Sequence, residues 1–117
     1  MKNRYLYLLI FGLLMCCPVV AQTQLEMNQD AQAEYVKADA ELNRTYKQLV
    51  VLLDKKEKQL LVKAQKNWIL FRDTHCRFEI STYEGGSIQP LIWSNCLTEC
   101  TNVRIADLKA AIEERKH

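Results

Sequence analysis

The sequence predicts an all-α fold, a small antiparallel helical bundle of three to four helices with one disulfide bond. Helix breakers are rare, since three glycines and two prolines occur in 117 residues. Apolar residues recur at three- and four-residue steps, which is the spacing of a helix face. No segment shows the strict alternation of a half-buried strand.

A cleaved signal peptide is predicted over residues 1–21. Lys2 and Arg4 form a basic start, an apolar run follows from Tyr5 to Met15, and small residues precede a cleavage point after Ala21. The apolar run is shorter than the roughly 20 residues that a membrane-spanning helix needs. We therefore expect no stable membrane insertion after cleavage, and a periplasmic or secreted single domain over residues 22–117.

Lipid attachment at Cys16 or Cys17 is disfavoured. A small residue is expected immediately before a modified cysteine, and Met15 and Cys16 stand there instead. We expect the exported domain to be free of a lipid anchor.

Loss of the signal peptide removes the net charge. The full chain has 16 basic and 14 acidic residues, and removal of Lys2 and Arg4 leaves 14 of each. A neutral chain produces no long-range field that would attract nucleic acid or anionic lipid. We therefore expect no nucleic-acid partner. Any charged partner would have to bind at a local patch of charged residues.

The first helix of the exported domain is predicted to begin between residues 28 and 32 and to end near Leu53. Its apolar stripe consists of Tyr35, Ala38, Leu42, Tyr46, Leu49 and Leu53. Charged residues occupy most of the other faces.

The second helix is predicted from about Lys55 to Ile80. Asp54 is suited to cap it, with Glu57 three residues later in the reciprocal position of a capping box. Its predicted stripe consists of Leu60, Leu61, Ala64, Trp68, Phe71 and either His75 or Cys76. We assign the aromatic residues of these stripes to the core in preference to a ligand cage.

A third helix is predicted after the turn at residues 83–89, beginning at Ile88 or Leu91 and ending at Arg115. Gly85 and Gly86 permit positive φ, Ser87 is a suitable N-cap, and Pro90 fits a first helical turn. The predicted stripe consists of Ile92, Cys96, Cys100 or Leu97, Val103, Leu108, Ala111 and Ile112. Because the rest is helical, the turn is the candidate recognition loop.

Three cysteines remain in the exported domain. Cys96 and Cys100 share a helix face, so either one is able to meet Cys76, and loop entropy does not choose between them. One structural disulfide and one free thiol are expected. A zinc site built from His75 and these three cysteines is the alternative. It is disfavoured because His75 and Cys76 point about 100° apart on a helix, and no metal or cofactor is expected.

The motifs of catalysis are missing from this sequence. It contains no paired-carboxylate site, Ser-His-Asp set, phosphate-binding loop or dinucleotide fingerprint, so we do not expect an enzyme. Polar residues beside the stripes predict a partly buried network that fixes helix register. Adjacent Arg72 and Asp73 are expected not to pair with each other. The network residues are Asn43, Gln65, Arg72, Thr101, Arg104 and Asp107.

An ordered set of motifs in this chain resembles the LprI-type lysozyme inhibitor domain family, a group of small exported bacterial domains. Its centre is Gln-x-x-Trp-x-x-x-Arg-Asp-x-x-Cys, followed by Gly-Gly-Ser and Cys-x-x-x-x-Thr-x-x-Arg, within about residues 27–108. The residues that carry the resemblance are Asp39, Leu42, Asn43, Tyr46, Gln65, Trp68, Arg72, Asp73, Cys76, Gly85, Gly86, Ser87, Cys96, Thr101, Arg104 and Leu108.

The resemblance implies a helical fold and a Cys76–Cys96 disulfide, because Cys96 keeps the family spacing to Thr101 and Arg104. Many members carry a further cysteine shortly after the residues that match Met27 and Asn28, where this chain has Asp30. That difference removes a second disulfide and leaves Cys100 unpaired.

The resemblance also implies an exported, non-catalytic domain that binds a protein, with lysozyme as the named candidate. Lysozyme uses two carboxylates in its cleft, so a polar or basic probe is expected from the inhibitor. The candidate contacts are Tyr83, Glu84, Gly85, Gly86, Ser87 and Arg77, with Arg72 as an alternative cation if exposed. A structural or assembly module of the envelope, with a dimer through Cys100, is the alternative.

Overall fold

A computed structural model describes residues 23–117 and confirms the predicted all-α fold. Three long helices follow one another: α1 is Gln24–Val50, α2 is Lys55–Ile80 and α3 is Gln89–Arg115. A short 3-10 turn, Ser81–Tyr83, follows α2. The described part of the chain contains no strand. The predicted signal peptide, with Cys16 and Cys17, lies outside the described residues.

Helix α1 begins earlier than predicted and ends slightly before the predicted end. Thr23 is its N-cap, and the Thr23 hydroxyl accepts a hydrogen bond of 3.1 Å from the backbone N–H of Glu26. That bond satisfies one of the free donors of the first turn, which is why the helix starts at Gln24 and not at residues 28–32. After Val50 the chain turns, although Leu53 still packs into the core.

Helix α2 has the predicted bounds, and its predicted capping box is confirmed. The Asp54 carboxylate accepts a hydrogen bond of 2.8 Å from the Glu57 N–H, and the Glu57 carboxylate accepts one of 3.1 Å from the Asp54 N–H. This reciprocal pair forms a helix start within a polar joint that holds no glycine or proline.

Helix α3 follows a glycine turn, but its predicted cap is wrong. Gly85 adopts a φ of 75°, which favours glycine. Ile88 occupies the N-cap position without a side-chain hydrogen bond, and Pro90 lies in the first turn as predicted. Ser87 does not cap the helix, because Pro90, three residues later, has no N–H to donate. The N–H of Gln89, two residues after Ser87, donates instead to the Gly86 carbonyl at 3.2 Å.

The three helices alternate in direction. Residues near the end of α2 meet the start of α3, and Arg115 at the end of α3 reaches Glu57 at the start of α2, so these helices are antiparallel. Late residues of α1 share a core with late residues of α3, so α1 and α3 are parallel. The core cluster consists of Leu42, Leu49, Leu53, Ile105, Leu108 and Ile112, with Tyr46, Leu61, Trp68 and Ala111 packed against it.

The apolar stripe of α1 packs as predicted, whereas those of α2 and α3 are partly wrong. Leu60, Phe71 and Val103 were expected in the core and are each about 60% exposed, and Ala64 is exposed too. The reason is that α3 packs extensively along α1 and less along α2. The buried face of α3 therefore runs through Ser94, Leu97, Thr101, Ile105, Leu108 and Ile112. None of the helices within residues 23–117 is long and apolar enough to cross a membrane.

Candidate functional site

A disulfide between Cys76 and Cys96 joins the last turns of α2 to the first half of α3. Their Cα atoms are 5.7 Å apart, and Cys76 is completely buried. Cys100 is the free cysteine of the described chain and is half-buried. The pairing that the family resemblance implies is therefore confirmed, and it fixes the end of the bundle that carries the loop.

His75, Cys96 and Cys100 lie together beside this disulfide. One ligand atom from each falls within 4.8 Å of the others. Cys96 is committed to the disulfide, which leaves a histidine and one thiol as free donors. Burial, and then the neighbouring Glu99 carboxylate, raise the pKa of the Cys100 thiol. A cysteine prepared for nucleophilic or metal chemistry has a lowered pKa.

Arg72 is buried at the centre of the bundle, with its side chain among aromatic rings. Its guanidinium carbon lies 5.1 Å from the Trp68 ring centroid and 5.7 Å from that of Tyr35. Its Nε donates to Asp73 Oδ1 at 2.9 Å, which corrects the expectation that these adjacent residues do not pair. The long arginine side chain folds back along the helix to reach its neighbour. Burial raises the pKa of Tyr35, although the Arg72 charge opposes that rise.

A second arginine connects α2 to α3. Arg104 Nε donates to Gln65 Oε1 at 3.0 Å, and its guanidinium carbon lies 6.0 Å from the Trp68 ring centroid. Trp68 thus lies near two guanidinium groups, one from its own helix and one from α3. Attractions of this kind contribute about 0.5–2 kcal/mol each and depend on direction. The Arg104 contacts with Trp68 and Gln65 hold α2 in one rotation against α3, whereas the Arg72–Trp68 contact lies within α2.

The structure brings together part of the predicted polar network. Gln65, Arg72 and Arg104 meet around Trp68, with Asp73 at the edge. Thr101 is completely buried, and its hydroxyl has no hydrogen-bond partner among the described residues. Asn43 and Asp107 are exposed, whereas Asp39 and Tyr46 are half-buried on α1.

The candidate recognition loop lies at the disulfide-linked end of the bundle. Residues 81–88 are all exposed, including Tyr83, Glu84 and Ser87. The Gly86 N–H donates to the Tyr83 carbonyl at 2.9 Å, which shapes the turn. Arg77 is exposed nearby on α2. Arg72 is 8% exposed, so it does not serve as a surface cation.

Sequence reasoning missed a groove between α2 and α3, with a volume of about 500 Å³. It is lined by Trp68, Phe71, His75, Glu79, Ile92, Asn95, Cys96, Glu99, Cys100 and Val103. Phe71 stacks on His75 with ring centroids 5.5 Å apart and an interplanar angle of 13°. The available signal was the spacing of Phe71 and Phe78, which puts both on one flank of α2, with Phe71 on the groove and Phe78 beside it.

Comparison with known proteins identifies a family that this sequence matches. The family model described as lysozyme inhibitor LprI matches residues 17–108. A relative from Rhizobium meliloti (strain 1021) is described as an uncharacterized protein. It is 35% identical to this chain over an alignment of 131 positions, gaps included, which covers 91% of this chain and 94% of the relative. No solved structure matches the chain.

Proposed function

The chain belongs to the LprI lysozyme inhibitor family, and we propose from this premise that it is an exported, non-catalytic domain that binds and inhibits a lysozyme. The family match over residues 17–108 is the observation that carries the proposal. It includes most of the domain that we propose over residues 22–117, together with the disulfide and the loop. Export follows from the proposed signal peptide at residues 1–21 and agrees with a domain stabilised by a disulfide.

The chemistry around Cys100 supports a binding role over a catalytic one. Cys100 and His75 have side-chain atoms within 4.8 Å of each other and are the pair to consider as a nucleophile and base. Burial raises the pKa of Cys100, so the reactive thiolate is scarce at neutral pH. Cys76 and Cys96 are joined in the disulfide. Cys76 and Cys96 therefore act in structure, and Cys100 is not activated for nucleophilic catalysis.

We assign the contact with lysozyme to the exposed loop of Tyr83, Glu84, Gly85, Gly86 and Ser87, together with Arg77. Lysozyme cleaves its substrate with two carboxylates in an open cleft. A protruding turn with polar groups and a nearby cation is suited to such a cleft. The disulfide anchors α2 five residues before the 3-10 turn, which reduces the entropy that the loop loses on binding.

The proposal is tested by a lysis assay with the purified, oxidised protein. We expect it to slow the clearing of bacterial cell walls by lysozyme at micromolar concentration. A Tyr83→Ala and Arg77→Ala double variant is expected to inhibit less. Gln48→Ala, an exposed position on α1, is the matched control and is expected to inhibit as the wild type does. Unchanged lysis at micromolar excess of the wild type contradicts the proposal.

A structural or assembly module of the envelope is the second candidate, because Cys100 is free and half-buried. In that role Cys100 would join two copies of the chain. Non-reducing electrophoresis then shows a dimer that Cys100→Ser abolishes. A chain that remains monomeric under oxidising conditions contradicts the proposal of an assembly module joined through Cys100.

A further inference from the structure

We propose, building on the lysozyme-inhibitor function above, that the α2–α3 groove receives an arginine side chain of the lysozyme, held between Glu79 and Glu99 and against the Phe71 ring. The loop then lies at the edge of the contact, and the groove supplies its centre. The two surfaces are continuous, because Glu79 on the groove lies two residues before the 3-10 turn.

The groove presents more apolar surface than folding of this chain requires. Phe71 and Val103 are 60% and 59% exposed on its walls, and Phe78 beside it is 72% exposed. Phe71 and Phe78 also line a neighbouring hollow with Leu70. Grouped exposed apolar side chains with polar neighbours are typical of protein-binding surfaces, and aromatic residues dominate the energetic centres of such interfaces.

The charges of the groove indicate a cation as its occupant. Glu79 and Glu99 are the acidic residues that line it, and no lysine or arginine lines it. Burial and both carboxylates raise the pKa of the Cys100 thiol, which lines the groove, while the Arg72 charge lowers it. Among residues 23–117, neither carboxylate forms an ion pair. The Arg72 charge is already paired with Asp73. A cation that enters the groove would therefore meet two carboxylates that form no ion pair among the described residues.

The combination of an aromatic face and carboxylates favours arginine over lysine. A guanidinium is planar, stacks on aromatic rings and makes paired hydrogen bonds to a carboxylate. The stacked pair of Phe71 and His75 offers such a face. The same chain already places Arg72 and Arg104 near the Trp68 ring in its interior. A strongly basic lysozyme carries arginines on its surface, and charge complementarity with this local patch does not need a net charge on the inhibitor.

Binding is measured by calorimetry between the full oxidised protein and a strongly basic c-type lysozyme at low and moderate salt. Glu79→Gln with Glu99→Gln is expected to weaken binding roughly tenfold or more and to flatten its salt dependence. Phe71→Ser is expected to weaken binding at both salt concentrations. Glu114→Gln, an exposed carboxylate near the far end of α3, is the matched control and is expected to leave binding unchanged.

Cys100 gives a second readout, because its thiol lines the groove. Saturating lysozyme is expected to slow alkylation of Cys100 by iodoacetamide several-fold. Contact through the loop alone would leave the alkylation rate unchanged. Since Glu79, Glu99 and Phe71 are all exposed, these variants are expected to keep the helical circular dichroism of the wild type, which is recorded for each.

The outcomes separate the two proposals. If the wild type binds and inhibits lysozyme, while the groove variants bind equally well and Cys100 stays fully reactive, the groove inference is wrong and the inhibitor function stands. If the wild type does not bind lysozyme, both are wrong. Weakened binding by the groove variants, with protection of Cys100, supports the arginine site.

Discussion

Individual residues in the interior of this protein depart from the usual pattern of apolar packing. Arg72 is buried near the Trp68 and Tyr35 rings and is paired with Asp73. Thr101 is completely buried, and its hydroxyl lacks a partner in the described chain. Buried polar groups lose their hydration, and that loss is recovered only where a hydrogen bond or a charge partner replaces it. Arg72 therefore has partners that replace its hydration, whereas the Thr101 hydroxyl has none among the described residues.

Thr101→Val is expected to raise the free energy of unfolding by about 1 kcal/mol, because it replaces an unpaired buried hydroxyl with a methyl group. The matched variant is Thr45→Val on α1. The buried Thr45 hydroxyl donates to the Glu41 carbonyl at 2.9 Å, so removing it brings no comparable gain. Urea unfolding of the oxidised proteins measures the free energy of unfolding of both variants. A loss of stability in Thr101→Val would show that this hydroxyl is hydrogen-bonded after all.

Cys100 is expected to react with iodoacetamide at a higher pH in the folded protein than in urea, because burial and the nearby Glu99 charge raise its pKa. A thiol whose folded pKa is raised stabilises the fold below its unfolded pKa. That contribution is lost as the pH rises through the folded value. Alkylation rates between pH 7 and 10, with the disulfide intact in both states, give the two midpoints. A folded midpoint at or below the unfolded one contradicts the assignment.

Among the elements, the helix starts show how local chemistry determines a boundary. Asp54 and Glu57 form the capping box that the sequence predicts, and α2 begins at the predicted residue. Ser87 is an equally good capping residue by type, yet it does not cap α3, because Pro90 supplies no N–H. The residue type alone was insufficient, since a cap also requires a donor two or three residues later.

Asp54→Ala is expected to lower the free energy of unfolding by about 1 kcal/mol through loss of the capping box. Ser87→Ala is the control and is expected to change it by less than about 0.5 kcal/mol, as for an ordinary surface substitution. Urea unfolding measures both variants. Equal losses in the two variants would mean that Ser87 contributes a cap in solution.

At the scale of the whole molecule, α3 connects the other two helices. It packs along α1 over the main apolar core and holds α2 through a smaller contact, the Gln65–Arg104 hydrogen bond and the disulfide. Because α3 covers one side of α2, the aromatic flank of α2 that contains Phe71 and Phe78 stays exposed, and Phe71 lines the groove. The covalent link offsets the small noncovalent contact between these helices.

Removal of the disulfide is expected to loosen α2 more than α1 or α3. Closing a loop with a sequence separation of 20 residues stabilises the fold by roughly 3 kcal/mol in the chain-entropy account. Cys76→Ala with Cys96→Ala is expected to lose most of this. Hydrogen exchange is expected to show the greatest loss of protection in α2, and Cys100→Ala is the control with protection unchanged. A uniform loss over all three helices would contradict the central role of α3.

The sequence by itself determined the helical class, the bounds of α2, the capping box and the stripe of α1, because these depend on residue type and on spacing along one helix. The family motif added the cysteine pairing. The tertiary structure alone decided which flank of α2 and which face of α3 are buried. A helix with apolar residues on two adjacent flanks has no local preference between them. Packing against α3 covers the flank with Trp68 and Cys76 and leaves Phe71 and Phe78 in contact with water.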